Sequence, residues 1–405
     1  MHSVYSSCLH SIILLVALVP TIVHSLTLDT DKQALRLLKH SIDPNSIPKA
    51  SFLSSWDFSI DPCESTGGQF QGILCTSPLD NSRSRITAID LDSAGYDGFL
   101  AASIGNLTEL TTLILGRNNF RGPIPDSISN IRKLITLSMS ANFFTGSIPV
   151  GVTRLKKLQI LDLSNNLLSG SIPAKLSGLR SLTHVSLSQN KFSGRIPDLT
   201  GSWQLQTLEL DNNLLYGNLP NFPVKLRTLS LSHNLLSGHI SGTAKLEQLV
   251  TLDLSYNRFT GSITREILTL PRVVRIDVSF NHLTTIEVTK FVGRETRLRE
   301  FDAQSNLLHG HLPINLVTIR NLTSINLSKN QFSGPIPKDY GAKVGNSWKS
   351  LYLDHNYLTG NLPPQFCVAS MRIKGNLASN CLKCPINVAL CHGGQRPASE
   401  CVGQN

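Results

Sequence analysis

Five carboxylates, Asp162, Glu209, Asp253, Asp277 and Asp302, each stand four residues before an asparagine and between two apolar residues, and no lysine or arginine shares that register. Carboxylates on neighbouring strands can work as a general acid and base, as in glycoside hydrolysis. A second group is Cys381-x-x-Cys384 with Cys391 and Cys401 downstream, a spacing that could hold zinc. The sequence has no H-E-x-x-H, no G-x-S-x-G and no G-x-x-x-x-G-K-[ST]. Catalysis needs a pocket that excludes water, and acids spread along an open sheet do not have one. The expectation is therefore a binding protein without catalytic residues, metal or cofactor.

The acids are placed by a repeat. Asn118, Asn142, Asn166, Asn190, Asn213, Asn234, Asn257, Asn281, Asn306, Asn330 and Asn356 recur at intervals of 21 to 26 residues. The clearest unit, 158–173, reads LQILDLSNNLLSGSIP, and its frame L-x-x-L-x-L-x-x-N-x-L/F-x-G-x-I-P lies over the others. Such a period is that of a leucine-rich repeat. Leu161 and Leu163 flank Asp162, so a short strand turns two aliphatics inward and one residue outward. Stacked turns then form a parallel sheet, and the ladder asparagines, at an inward bend, must be satisfied by backbone groups. Phenylalanines at 120, 144, 192, 259 and 332, alternating with leucines, are core fillers. The expected fold is an α/β solenoid, one elongated arc with the parallel sheet on its concave face and capped ends.

The chain resembles plant extracellular leucine-rich-repeat proteins: the ectodomains of receptor-like kinases and receptor-like proteins and, more distantly, polygalacturonase-inhibiting proteins. The resemblance rests on Gly-x-Ile/Leu-Pro tails, as at 122–125, 170–173, 217–220 and 360–363. It extends to a cap-like stretch, 31–75, containing Ser55-Trp56 and Asp61-Pro62-Cys63, with Phe70 where many such caps carry Trp. The turns at Asn234, Asn257 and Asn281 lack the proline, which predicts a local change of curvature and an interruption of the second sheet typical of the family. The domain reading is a signal peptide at 1–25, an N-terminal cap at 26–85, about 12 repeats over 86–366, and a Cys-rich C-terminal cap at 367–405.

Residues 11–23 are apolar, uncharged and too short to span a membrane, which is the pattern of a signal peptide. Its removal after Ser25 takes Cys8 and leaves seven cysteines. Cys63 and Cys75 bracket the first cap and are expected to pair. Cys367, Cys381, Cys384, Cys391 and Cys401 crowd the second, with one left over and 15 possible pairings, and secretion favours disulfides over zinc. Sequons at Asn106, Asn321 and Asn326 are candidate glycosylation sites, the last in the outward strand position. No apolar tail follows Cys401, so the expected location is extracellular, in the wall space, without a membrane span.

The net charge of +10 and a pI near 9.3 suit adhesion to an acidic wall polysaccharide. Without a clustered basic run, and with secretion, nucleic acid is not expected. The acid column faces a second concave column in which Tyr256 and Phe280 fall on consecutive turns. Exposed aromatics beside acids suit an interface anchor, so Asp253, Tyr256, Asp277 and Phe280 form the predicted centre, flanked by Asp162, Glu209 and Asp302. The resemblance implies a soluble receptor-like component that recognises an extracellular peptide or receptor kinase ectodomain in development or defence. The alternative is inhibition of a microbial polygalacturonase.

Overall fold

In a computed structural model, the described residues are 26–64, 68–76, 80, 82–287, 296–369, 373–385 and 387–401. The apolar run at 11–23 and the cleavage position lie outside them. Alternation of aliphatics produces one sheet of 14 short strands, from Ile73–Cys75 to Lys374–Asn376. The first pair is antiparallel and every later pair is parallel and in register, for example Leu161 beside Val185 and Leu252 beside Ile276. In the twelve strands between the first and the last each central residue is buried, and with the phenylalanines and leucines two positions after the ladder they make one continuous core. Phe120 and Phe144 stack within it at 6.0 Å.

The ladder asparagines tie turn to turn. Asn166 donates from Nδ2 to the carbonyls of Met139, Leu163 and Ser164, and its Oδ1 accepts from the Phe144 amide. The same pattern recurs at every ladder position from Asn118 to Asn356. It recurs once more at Asn380, a fully buried member inside the segment read as the C-terminal cap.

The second sheet departs from expectation. It runs as three pieces of three, six and four strands; the six-stranded piece includes Leu235–Gly238 and Arg258–Ile263 and ends on His282–Ile286, so the sheet is present in all three turns and the break follows the last of them. Those are the turns that lack the proline. The pairing residues lie ahead of the proline position, so its loss removes no hydrogen bond. Without the ring, Arg258–Ile263 continues to six residues and pairs Ile263 with Ile286.

At the N-terminal end the helix Asp29–His40 closes the core with Ala34, Leu35 and Leu38. Trp56 and Phe70 stack at 6.1 Å beneath it, Phe70 adopting φ 47° to reach that place. Asp31, fully buried, accepts two hydrogen bonds from Arg85 at 2.9 and 3.1 Å and one from the Ile86 amide. Asp31→Asn is expected to cost about 2 kcal/mol, because one charge-assisted contact becomes a clash of donors while the guanidinium stays half-enclosed. Faster hydrogen exchange in the helix Asp29–His40, with the central turns unchanged, is the result to look for.

Disulfides join Cys63 to Cys75, Cys381 to Cys401 and Cys384 to Cys391, all near the ends of the arc, and Cys367 is a free, exposed thiol. Among the described residues no group of three or more His, Cys, Asp or Glu is placed to hold a metal, and no helix is long and apolar enough to cross a membrane.

Candidate binding face

Each turn leaves the concave strand through one residue in the left-handed region, immediately before the ladder asparagine or, in the first turn, before Ala94. These residues run from Ser93 to Ser379 with φ between 52° and 57°. The solenoid imposes this conformation whatever the side chain. Glycine and asparagine adopt it cheaply, and a bulky side chain pays about 1 kcal/mol or more. Asn165 and Asn212 follow that preference, yet Tyr256 and Phe280 occupy the same place with φ 53° and 52°.

The geometry brings three rings together. His233 stacks on Tyr256 at 4.1 Å and Tyr256 on Phe280 at 4.1 Å, within 18° and 10° of parallel. The sequence places Tyr256 beside Phe280 and His233 one turn earlier in the same column, but the predicted centre left His233 out. That position was the available signal. Tyr256 is 42% exposed, whereas Phe280, expected to be exposed, is half-buried, with Tyr256 over one face of its ring.

Beside the stack, Asp253, Asp277 and Asp302 stand on three consecutive strands in exact register. Asp253 accepts from the Ser255 amide and hydroxyl at 3.0 and 2.7 Å. Asp277 makes the same pair of contacts with Ser279 and accepts from Arg275 at 3.3 Å, which leaves it only 9% exposed, deeper than the column position suggests. Arg275 also reaches Glu300 at 3.0 Å. Asp302 accepts from Gln304 and from Asn326 Nδ2 at 3.1 Å. The other two predicted acids are apart: a serine strand separates Asp162 from Glu209, and another separates Glu209 from Asp253. Asp162 is held by Ser164 and Ser138.

Burial raises the Asp253 carboxyl above the usual range, and the Asp277 charge adds to it against the Ser255 hydrogen bonds. Burial likewise pushes Asp302 up to about 6, again with a contribution from Asp277. A carboxyl whose folded value lies above its unfolded value favours folding while protonated. Its contribution is therefore lost as pH rises from about 4 through 6. A cationic ligand reverses that penalty and binds the ionised form. Binding through Asp302 is expected to tighten up to about tenfold between pH 5 and pH 7, following the ionised fraction. Dissociation constants at the two pH values, compared with those of Asp302→Asn, check this; an equal slope in the variant counts against it.

The sequons fall on different surfaces. Asn106 and Asn321 are exposed, the latter donating to the Thr296 carbonyl. Asn326 is half-buried at the end of the acid row, with its Oδ1 accepting from the Ser328 amide and hydroxyl.

Comparison with known proteins agrees with the geometry. The leucine rich repeat N-terminal domain pattern matches residues 28–76, and leucine rich repeat patterns match 145–192, 109–131, 225–245, 248–270, 321–342 and 347–369. The chain superposes on the crystal structure of PEPR1 with AtPEP1 with a TM-score of 0.72 and 27% identity over 89% of its length. The chain is a plant leucine-rich-repeat ectodomain-like protein. The ectodomain of the receptor kinase GASSHO1/SCHENGEN3 from Arabidopsis thaliana, in complex with CASPARIAN STRIP INTEGRITY FACTOR 2, gives a TM-score of 0.62 with 30% identity over 74% of the chain. Receptor-like protein 39 of Arabidopsis thaliana is 30% identical over 114 residues, 28% of this chain. This leucine-rich-repeat chain covers 53% and 39% of the two structures and 13% of that relative.

Proposed function

We propose that this leucine-rich-repeat protein acts outside the cell, binding a peptide or protein segment with basic and apolar side chains on its concave face. In this reading it is a non-enzymatic, soluble receptor-like component of plant development or defence signalling. The observation that carries the reading is the His233–Tyr256–Phe280 stack beside three carboxylates on adjacent strands. A basic side chain entering there meets ring faces and edges and carboxylates at once. Similarity to ectodomains solved with peptides supports the class of partner, and the end disulfides and the apolar run at 11–23 support secretion. Glycans at Asn106 and Asn321 are compatible with this face, while one at Asn326 would crowd its C-terminal side.

The test is capture from plant extracellular extract by the secreted protein, beside a variant with Asp253, Tyr256, Asp277 and Phe280 changed to Ala. A peptide or receptor ectodomain enriched by the first and absent with the second supports the proposal. Recovery of a polygalacturonase, indifferent to those residues, replaces it with the inhibitor reading.

A further inference from the structure

Charge is sorted across this solenoid by register. The acid column lies four residues before the ladder asparagine. Five residues earlier, where the chain climbs the flank toward the concave strand, stand Lys133, Lys157, Lys225, Arg272 and Arg297, and Glu109 is the one acid in that column. All five bases are exposed, and successive turns repeat at about the 4.8 Å strand spacing. Lys133 pairs with Glu109, and the remaining bases outnumber the acids near them.

The flank is also shaped. A shallow groove of about 580 Å³ is lined by Lys225, Arg227, Lys245 and Arg272 together with Gln204, Gln206 and Gln248, with Glu247 as its single acid. A second groove of about 570 Å³ lies in an earlier turn of the same flank, lined by Arg154, Lys156 and Lys175 and by no acid. Between the two in sequence Trp203 is 49% exposed, its ring covered on one side by Lys225 Nζ at 4.9 Å, and Lys225 is steadied by Gln204 at 2.8 Å. Cations on several turns of one column, amides between them that can meet hydroxyls, and an open indole face are what a chain of acidic sugars requires. The cations take the carboxylates and the indole takes a ring's C–H face.

We infer that this flank binds a linear acidic polysaccharide lengthwise, across successive turns, and that it does so independently of the concave face. Its repeating carboxylates would follow the turns, leaving the acid column open for a cationic partner. Two ligands of opposite charge then sit on adjacent surfaces without competing.

The experiment measures binding of the secreted protein to de-esterified polygalacturonate, with fully methyl-esterified polymer, duplex DNA and anionic phospholipid vesicles alongside. A Lys225→Ser/Arg227→Ser/Arg272→Ser variant is expected to lose about tenfold in affinity, the sum of three exposed ion pairs. Trp203→Ala is expected to weaken binding as well, although it changes no charge. A control variant, Lys191→Ser/Arg258→Ser/Lys338→Ser, removes equal charge elsewhere and should bind as the parent does. Equal losses in both triple variants would reduce the effect to bulk charge and overturn the inference. So would undiminished binding of the esterified polymer, or DNA or vesicles bound as tightly with the same dependence on the three residues. Circular dichroism melting shows that each variant is folded, and capture through the concave face, measured separately, is expected to survive the flank substitutions.

Discussion

A Tyr256→Asn/Phe280→Asn variant is expected to lose about a hundredfold or more in affinity for the concave-face partner while keeping the parent's stability. Both positions are held in the left-handed region by the solenoid itself, as the same φ at Asn165 and Asn212 demonstrates. Relieving an aromatic residue there recovers about 1 kcal/mol, since asparagine tolerates that conformation. Losing the stacked contacts costs a comparable amount, about 0.5–1.5 kcal/mol for each ring pair. The two effects cancel to within about 1 kcal/mol, so the melting temperature stays near the parent's. Buried aromatic anchors at an interface are worth about 2 kcal/mol or more each, and nothing in the variant offsets that loss. Aromatics at places where asparagine serves the fold equally well thus point to binding rather than to folding. If the variant melted far below the parent and bound as well, the stack would be a piece of the scaffold and the proposed centre would be wrong.

The solenoid was legible because its period leaves one arrangement that buries the aliphatics and satisfies the asparagines. The column containing Asp253, Asp277 and Asp302 followed from that period, since a strand residue between two inward aliphatics must point outward. What the sequence could not convey was depth. Asp277 sinks to 9% exposure because Ser279 and Arg275 close over it, and a repeat pattern carries no information about which neighbour folds down. The second sheet was misjudged for a related reason. Proline looked like part of the pattern that makes the sheet, whereas the pairing residues precede it, and Arg258–Ile263 lengthens where it is absent. Asn380 was overlooked because the cysteines around it drew the cap boundary too early, although Leu377 and Leu382 keep the repeat's spacing. The C-terminal pairings stayed open among 15 until the last turn brought Cys381 to Cys401 and Cys384 to Cys391.

The largest loss of stability is expected from the ladder beneath the binding face. Asn257, 7% exposed, donates to the carbonyls of Leu231, Leu254 and Ser255 at 2.9, 3.2 and 3.0 Å, and accepts from the Leu236 amide at 3.0 Å. Its two N–H groups serve three carbonyls, so one hydrogen is shared, and contacts to Leu231 and Leu236 join this turn to the one before. Asn257→Ala leaves these backbone groups without partners in a dry interior. At about 1–3 kcal/mol for each unsatisfied group, discounted because they share a network, the cost is about 4 kcal/mol. Asn257→Asp keeps the shape but replaces the donor with an oxygen facing three carbonyl oxygens, and is expected to cost at least as much, the more so as pH rises above about 4, where the carboxyl ionises in the unfolded chain while burial opposes its ionisation in the folded one. Repeat proteins unfold through nearest-neighbour interfaces, so the break should be local. Urea unfolding should show a new early transition in both variants, with hydrogen exchange assigning it to the turns around 228–259, while the caps melt as before. A single cooperative transition at the parent's midpoint would mean that the asparagine is a passenger on a sheet able to hold its own register. The ladder would then have to be explained by folding rate rather than by stability.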